Sequence, residues 1–296
     1  MPKLWGSRFK KQTDSLADQF SFSITYDYRL AKYDVLGSIA HAEMLGKCKI
    51  ISRFDAFRIV SGLKRILTQI NKGNFKPDPT CEDIHTQIQL MLKSMIGASA
   101  DKLHTARSRN DLIALDVRMY CKDEINDIQK LIHELQKTII KLAEKEGETI
   151  IPGFTHLQPA QIVLLAHHLL AYVEMFDRDK NRLEDCYERT DSMPLGSGAL
   201  SGSSLPIDRA FVAKLLGFSK VTQNSMDAVS DRDLVIELLS DLALIGMHAS
   251  RIAEEFIIWS SKFSYVEIDW ALCTGSSIMP HKKNPDMLEL IRGESA

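Results

Sequence analysis

Apolar residues recur at alternating spacings of three and four over three long tracts. Ile125, Ile128, Ile132, Leu135, Ile139 and Leu142 form the first. This is the period of a narrow apolar seam on an α-helix, and it stops near Gly147. Ile162, Leu165, Leu169, Tyr172 and Phe176 form the second, and Leu234, Leu238, Leu242, Ile245, Ala249, Ile252, Phe256 and Trp259 the third. A helix over 232–262 would be about 45 Å long at ~1.5 Å per residue. Helices of that length suit a bundle that also forms a subunit interface. The stripes read as core rather than as cofactor boxes.

Residues 1–111 are patterned in shorter pieces. Helical periodicity covers about 30–45 and 55–69, and Asn71-Lys72-Gly73-Asn74 is a turn. Pro77 and Pro79 extend the chain before Glu82-Asp83-Ile84-His85-Thr86 opens another helix, with Asp83 as a capping candidate. The expected fold class is all-α: a long-helix bundle over 112–296, with a smaller, mostly helical N-terminal domain over 1–111.

Composition adds bounds. The 296 residues are 45% hydrophobic and 26% charged with net charge −2, so no broad basic surface exists for nucleic acid. Only 15 Gly and 9 Pro break the chain, which favours long helices. The start, Met1-Pro2-Lys3-Leu4-Trp5-Gly6, has no apolar core of a signal peptide, and the most apolar run, 234–247, is interrupted by Glu237 and Asp241. Five scattered cysteines have neither metal-ligand nor redox spacing. A cytoplasmic protein with reduced thiols, no membrane and no metal is expected.

Polar chemistry concentrates between the helices. Residues 275–286 read Gly-Ser-Ser-Ile-Met-Pro-His-Lys-Lys-Asn-Pro-Asp. Two prolines forbid a continuous helix here. Asn284 reads as an N-cap, Pro285 as the first helical residue and Asp286 as a first-turn acid. A mobile hydroxyl-bearing loop thus meets lysines and a helix N-terminus, a receptor for carboxylate or phosphate. An exposed connector has the same composition. Residues 101–111, Asp-Lys-Leu-His-Thr-Ala-Arg-Ser-Arg-Asn-Asp, read either as a solvated N-cap loop or as an anion-binding turn, with Arg107 and Arg109 able to hold a carboxylate. Two further linkers, 152–161 with His156 and the glycine-rich 194–202, separate helical tracts; the second lacks the lysine of a phosphate-binding loop.

The order of these residues carries a resemblance. Residues 275–285 match the fumarase/aspartase superfamily loop, Gly-Ser-Ser-x-Met-Pro-x-Lys-x-Asn-Pro, at every fixed position. Together with 4–9, 23–27, 83–86, 104–111, 153–161, 194–202 and 224–233, it makes the chain resemble the argininosuccinate lyase family. His-Thr-Ala-Arg-Ser-Arg-Asn-Asp at 104–111 separates that family from its siblings. Leu112, Ile162 and His281 stand where the family usually has Gln, Pro and Gln. The family continues beyond the loop with more bundle and a small helical domain, so the resemblance implies an unfinished bundle at residue 296.

The resemblance implies reversible β-elimination of argininosuccinate to L-arginine and fumarate, without cofactor or metal, in a homotetramer whose sites combine segments of three subunits. It implies catalytic roles for Ser276, His156, Lys282 and Glu289. Ser276 and His156 exchange protons with the substrate, in an order the residues leave open, and Glu289 orients His156. It implies substrate binding by Ser23, Arg109, Asn110, Thr155 and Asn284, with His85 as a weaker candidate. The alternative is a catalytically inactive member, truncated or structural like the delta-crystallins.

Overall fold

The computed structural model describes residues 14–261 and 263–295; the motif at 4–9 lies outside them. Six helices come first: α1 (Ser15–Ser21), α2 (Ile24–Asp27), α3 (Ala31–Lys47), α4 (Arg53–Asn71), α5 (Ile84–Ile96) and α6 (Arg109–Lys145). A hairpin of β1 (Ile150–Thr155) and β2 (Gln158–Leu164) follows, then α7 (Leu165–Thr190). The remaining elements are β3 (Ser192–Met193), α8 (Arg209–Leu216), β4 (Lys220–Val221), α9 (Ser225–Ser230), α10 (Asp233–Ser261) and α11 (Asp286–Glu294). The predominantly helical class expected from periodicity is what the chain forms. Among the described residues no helix is long and apolar enough to cross a membrane, and no disulfide links the five cysteines.

The chain divides into two compact units. The first comprises Met1–Asp123 and Glu188–Arg232, the second Glu124–Tyr187 and Asp233–Ala296. In the first unit α3, α4 and α5 pack around Val35, Leu45, Ile59, Leu63, Ile66, Ile84, Ile88 and Leu92, all buried. Local chemistry starts these helices. Ser52 caps α4 by accepting from the Asp55 amide at 3.0 Å, and Asp83 caps α5 through the Thr86 amide at 2.8 Å. β3 and β4 pair in parallel, Ser192 with Lys220 and Met193 with Val221.

In the second unit, α7 buries Leu169, Tyr172, Phe176, Asp179, Leu183 and Cys186, continuing the expected spacing. The first seam is corrected. On α6 beyond residue 123 the buried positions are Ile125, Ile132, Gln136, Ile139 and Ala143, whereas Leu135 is 39% exposed and Leu131 70%. Periodicity places Leu135 on the buried side because a stripe two residues wide satisfies the same spacing. Gln136 occupies the neighbouring row and donates to the Val173 carbonyl on α7 at 3.1 Å. On α10, Leu234, Leu238, Ala253 and Trp259 are buried, while Leu239 and Ile236 are exposed. His248 of α10 meets Asp179 of α7 at 2.6 Å. The helical stripe expected from Ile162 begins instead at Leu165, because 158–164 pairs with 150–155 as a strand and leaves Ile162 82% exposed.

Close approach in the first unit depends on glycine. A Cβ on Gly46 of α3 would lie 2.7 Å from Cβ of Ala56 of α4, an atom with no freedom to rotate away. Gly46→Val should therefore destabilise the first unit by about 1–3 kcal/mol through overpacking, read as a lower urea midpoint. Valine regains little of the helix propensity that alanine would, so an unchanged midpoint would refute the close packing.

Candidate active site

Asp111 organises the polar end of the first unit. It sits in the first turn of α6 and is fully buried. Its carboxylate accepts from the amides of Ser108 at 2.9 Å, Gly196 at 3.0 Å and Gly198 at 2.8 Å. The start of α6 is thereby fastened to the glycine-rich turn 194–202. Gly198 has φ +63°, and a Cβ there would meet the Gly202 carbonyl oxygen at 2.8 Å, so the turn admits no side chain at that point. Arg209 holds the same turn from α8, donating to the carbonyls of Leu195 at 2.9 Å and Thr222 at 3.0 Å. Burial pushes the Asp111 carboxyl up, and the three amides oppose that.

Four expected site residues gather around this frame. His85 and Arg109 line a cavity of about 790 Å³ with His104, Arg107, Gly198 and Ser203. Ser23 and His85 line a second cavity of about 450 Å³ with Asp27, Asp83 and Tyr120. Ser23 donates to Asp27 at 2.6 Å. Asn110 donates to the Ala199 carbonyl at 3.0 Å. Arg109 does not stand open for an incoming carboxylate alone: its guanidinium already pairs with Asp83 at 2.8 Å. Arg107 is withdrawn further, half-buried and donating to Ser38 at 2.9 Å.

The other expected residues lie in the second unit, in three places. The loop after α10 is closed by paired backbone bonds, Thr274 to the Asn284 carbonyl at 3.1 Å and Asn284 to the Thr274 carbonyl at 2.8 Å. This brings Ser276, Lys282 and Asn284 onto one closed loop. Ser276 is half-buried and its hydroxyl accepts from the amides of Met279 at 3.2 Å and Ile278 at 3.4 Å. Two N–H donors to that oxygen favour its anionic form. Lys282 is exposed. Lys283 instead turns inward, to the Ile268 carbonyl and over the Trp270 ring at 4.4 Å. The cap of α11 departs from expectation. Pro285, not Asn284, occupies the N-cap without a side-chain bond, because Asn284 is held in the bridge to Thr274. Glu289 lies exposed in the first turn of α11.

His156 and Thr155 occupy the third place, the tip of the β1–β2 hairpin. Thr155 pairs with Gln158, so His156 and Leu157 form a two-residue turn. Both have left-handed backbones, φ 55° and 58°. Such a turn suits Asn-Gly and strains other residues. His156 is exposed there, and no hydrogen bond or ion pair links it to Glu289 among the described residues.

Residues missed by sequence reasoning are buried beneath His85. Asp34 on α3 contacts its Nδ1, and Asp116 on α6 lies 3.8 Å from the same nitrogen. His41 of α3 contacts the Thr105 carbonyl at 2.9 Å. The available signal is weak: Asp116 falls four residues after Leu112, on the apolar side of α6.

These features meet the comparisons with known proteins. The model of a family described as lyase matches residues 7–296. The chain belongs to the lyase family. It is 55% identical over 294 residues to an argininosuccinate lyase of Desulforamulus reducens, covering 99% of this chain and 64% of that protein. It is 54% identical to another argininosuccinate lyase, of Acetivibrio thermocellus, with the same coverage. The chain thus spans about 64% of the length of these relatives. Among solved structures it is similar to an EDDS lyase variant with bound fumarate, at 29% identity and TM-score 0.82, covering 94% of this chain and 55% of that one. A class II fumarase from Schistosoma mansoni, 16% identical with TM-score 0.76 and covering 94% of this chain and 67% of that one, shares the fold.

Strain and burial at these places can be measured. Leu157→Gly removes a left-handed side-chain penalty of roughly 1–2 kcal/mol. Amide exchange in β1 and β2 should then slow by about fivefold or more; exchange that speeds up would contradict the strained turn. Burial, and then the Arg107 charge, lowers His41 from 6.5 to about 3, and the same causes lower His104 to about 4. Both groups bind protons more weakly folded than unfolded. Their contribution to stability is complete above about 6.5 and is lost as pH falls toward about 3. His41→Gln should flatten the fall in urea midpoint between pH 7 and 4, and an unaltered slope would refute the assignment.

Proposed function

We propose that this protein acts as an argininosuccinate lyase, eliminating fumarate reversibly from argininosuccinate to leave L-arginine. The observation that carries the reading is the closed loop 274–284, with its hydroxyl and lysine ahead of a helix start, in a chain 55% identical to a named argininosuccinate lyase. The reaction removes a proton from carbon beside a carboxylate, and the carbanion's charge spreads onto that carboxylate as a doubly charged aci form. Stabilising that species is the main demand, and fixed positive charge and N–H donors meet it. Lys282, Asn284 and the amides at the start of α11 are assigned that role.

Ser276 is assigned as the proton-abstracting group. An ordinary hydroxyl is too weak a base, so its anionic form needs the Met279 and Ile278 amides, the Lys282 charge and exclusion of water on loop closure. His156 is assigned to proton transfer at the leaving guanidino nitrogen, with Glu289 orienting it. Ser23, His85, Arg109, Asn110 and Thr155 are assigned to substrate binding. Exposed Leu131, Leu239 and Ile236 on the long helices support assembly through these faces, as a homotetramer in which different subunits complete each site. The cytoplasm, which keeps cysteines reduced, is the compartment this reading implies.

The test follows fumarate absorbance in the ultraviolet with argininosuccinate as substrate. Because the relatives are longer, the 296-residue chain is assayed alone and with the remaining C-terminal segment of the Desulforamulus reducens protein supplied in trans. Turnover that Ser276→Ala lowers by about 10²–10⁴-fold supports the reading. Folded protein giving no fumarate in either arrangement, or turnover indifferent to Ser276→Ala, sinks it.

A further inference from the structure

Asp116 is 0% exposed, and neither of its carboxylate oxygens has a hydrogen-bond partner among the described residues. Its carboxylate is also close to other polar atoms: the donor atoms of Asp34, His85 and Asp116 lie within 4.8 Å of one another. The groups facing this cluster come from every element packed on it. Asp34 and His41 come from α3, His85 from α5, His104 and Arg107 from the segment before α6, and Asp111 from α6. An unpartnered carboxylate in a dry interior is costly, and protein interiors neutralise such a group or pair it.

The charge balance names what completes the cluster. Three buried acids, Asp34, Asp111 and Asp116, face the single guanidinium of Arg107, whose charge acts on Asp34 and Asp116. As anions the acids outnumber that cation, and neutralising one of them lowers the excess. A proton does this without placing a further cation against Arg107. Asp34 already engages His85 Nδ1 and receives the field of Arg107. Asp116 has no hydrogen-bond partner to share its charge among the described residues.

We propose that Asp116 is a positioning residue that holds this proton, standing as a neutral carboxylic acid beneath His85 while Asp34 alone carries charge against the ring. Burial, and then the Asp34 charge, pushes the Asp116 carboxyl well above the ordinary carboxylate range, in keeping with this arrangement. Asp34 then accepts a hydrogen bond from Nδ1–H, which holds the ring in place. His85 lines both of the cavities described above, so the ring that Asp34 and Asp116 hold borders the space where a ligand would sit. The role of His85 in binding rests on the lyase reading; the proton on Asp116 does not.

The experiment compares infrared spectra of the full chain and its Asp116→Asn variant at pH 7. The C=O stretch of a neutral carboxylic acid, moved by exchange into D₂O, should be present in the wild type and missing from the variant. Asparagine copies the shape of the neutral acid, so the variant should keep the wild-type urea midpoint. If the variant does not fold, the Asp116 carboxyl carbon in ¹³C-aspartate-labelled wild type decides the point: it should keep the shift of a protonated acid from pH 5 to 8. An ionised Asp116 by either method overturns the proposal. So does a band that emerges only after chelator treatment, which would put a metal ion where the proton is assigned. Failure of lyase turnover would leave the infrared result standing, and a missing band would leave the lyase reading standing.

Discussion

The polar end of the first unit depends on the burial of Asp111. A carboxylate with no exposure must collect donors, and it finds them in three backbone amides from two separate stretches, 108 and 196–198. That requirement joins the start of α6 to a turn some 85 residues later in the chain. The glycines answer to the turn itself: Gly196 and Gly198 have φ +93° and +63°, and a Cβ on Gly198 would meet the Gly202 carbonyl oxygen at 2.8 Å. Arg209 performs the complementary task, giving donors to the carbonyls of the same turn. The Gly198–Gly202 side of the larger cavity is therefore held by one buried acid and one half-buried arginine.

The second unit rests on a different balance. Its long helices bury one row of side chains each and leave Leu131, Leu239 and Ile236 in water. Hydrophobic burial alone would favour covering those rows. The buried Asp179–His248 contact adds an orientation between α7 and α10 that apolar packing leaves loose. At the unit's periphery the chain holds strain: two successive left-handed residues put His156 at the tip of a hairpin. Such strain persists only where the surrounding pairing imposes it, and here the register from Ile150–Leu164 to Thr155–Gln158 does so.

Much of this arrangement is legible in the order of residues. Leu169, Tyr172 and Phe176 have the spacing of a core row and are buried. Asp83 has the chemistry of a cap and caps α5. The stretch 275–285 stands out by its residue order, and it forms a closed loop ahead of a helix. Other features are not legible there. Leu135 shares the spacing of the seam yet faces solvent, since a period of 3.5 does not choose between adjacent rows. Asn284 has the local chemistry of a cap, but a cross-loop bridge claims its backbone. Residues 158–164 carry an apolar position that fits either period, and pairing with 150–155 decides for strand.

What the sequence determined by itself was local and additive: helix content, helix length, the turn glycines, and the residue types that mark the lyase family. Each depends on neighbours within a few positions or on the identity of residues in order. Only the tertiary structure decided which acids lose their water. Asp34, His85 and Asp116 come from three different helices, and none looks unusual in its own segment. Their properties arise from desolvation and from charges brought close by packing, and both are set by distances that the chain's local pattern does not contain.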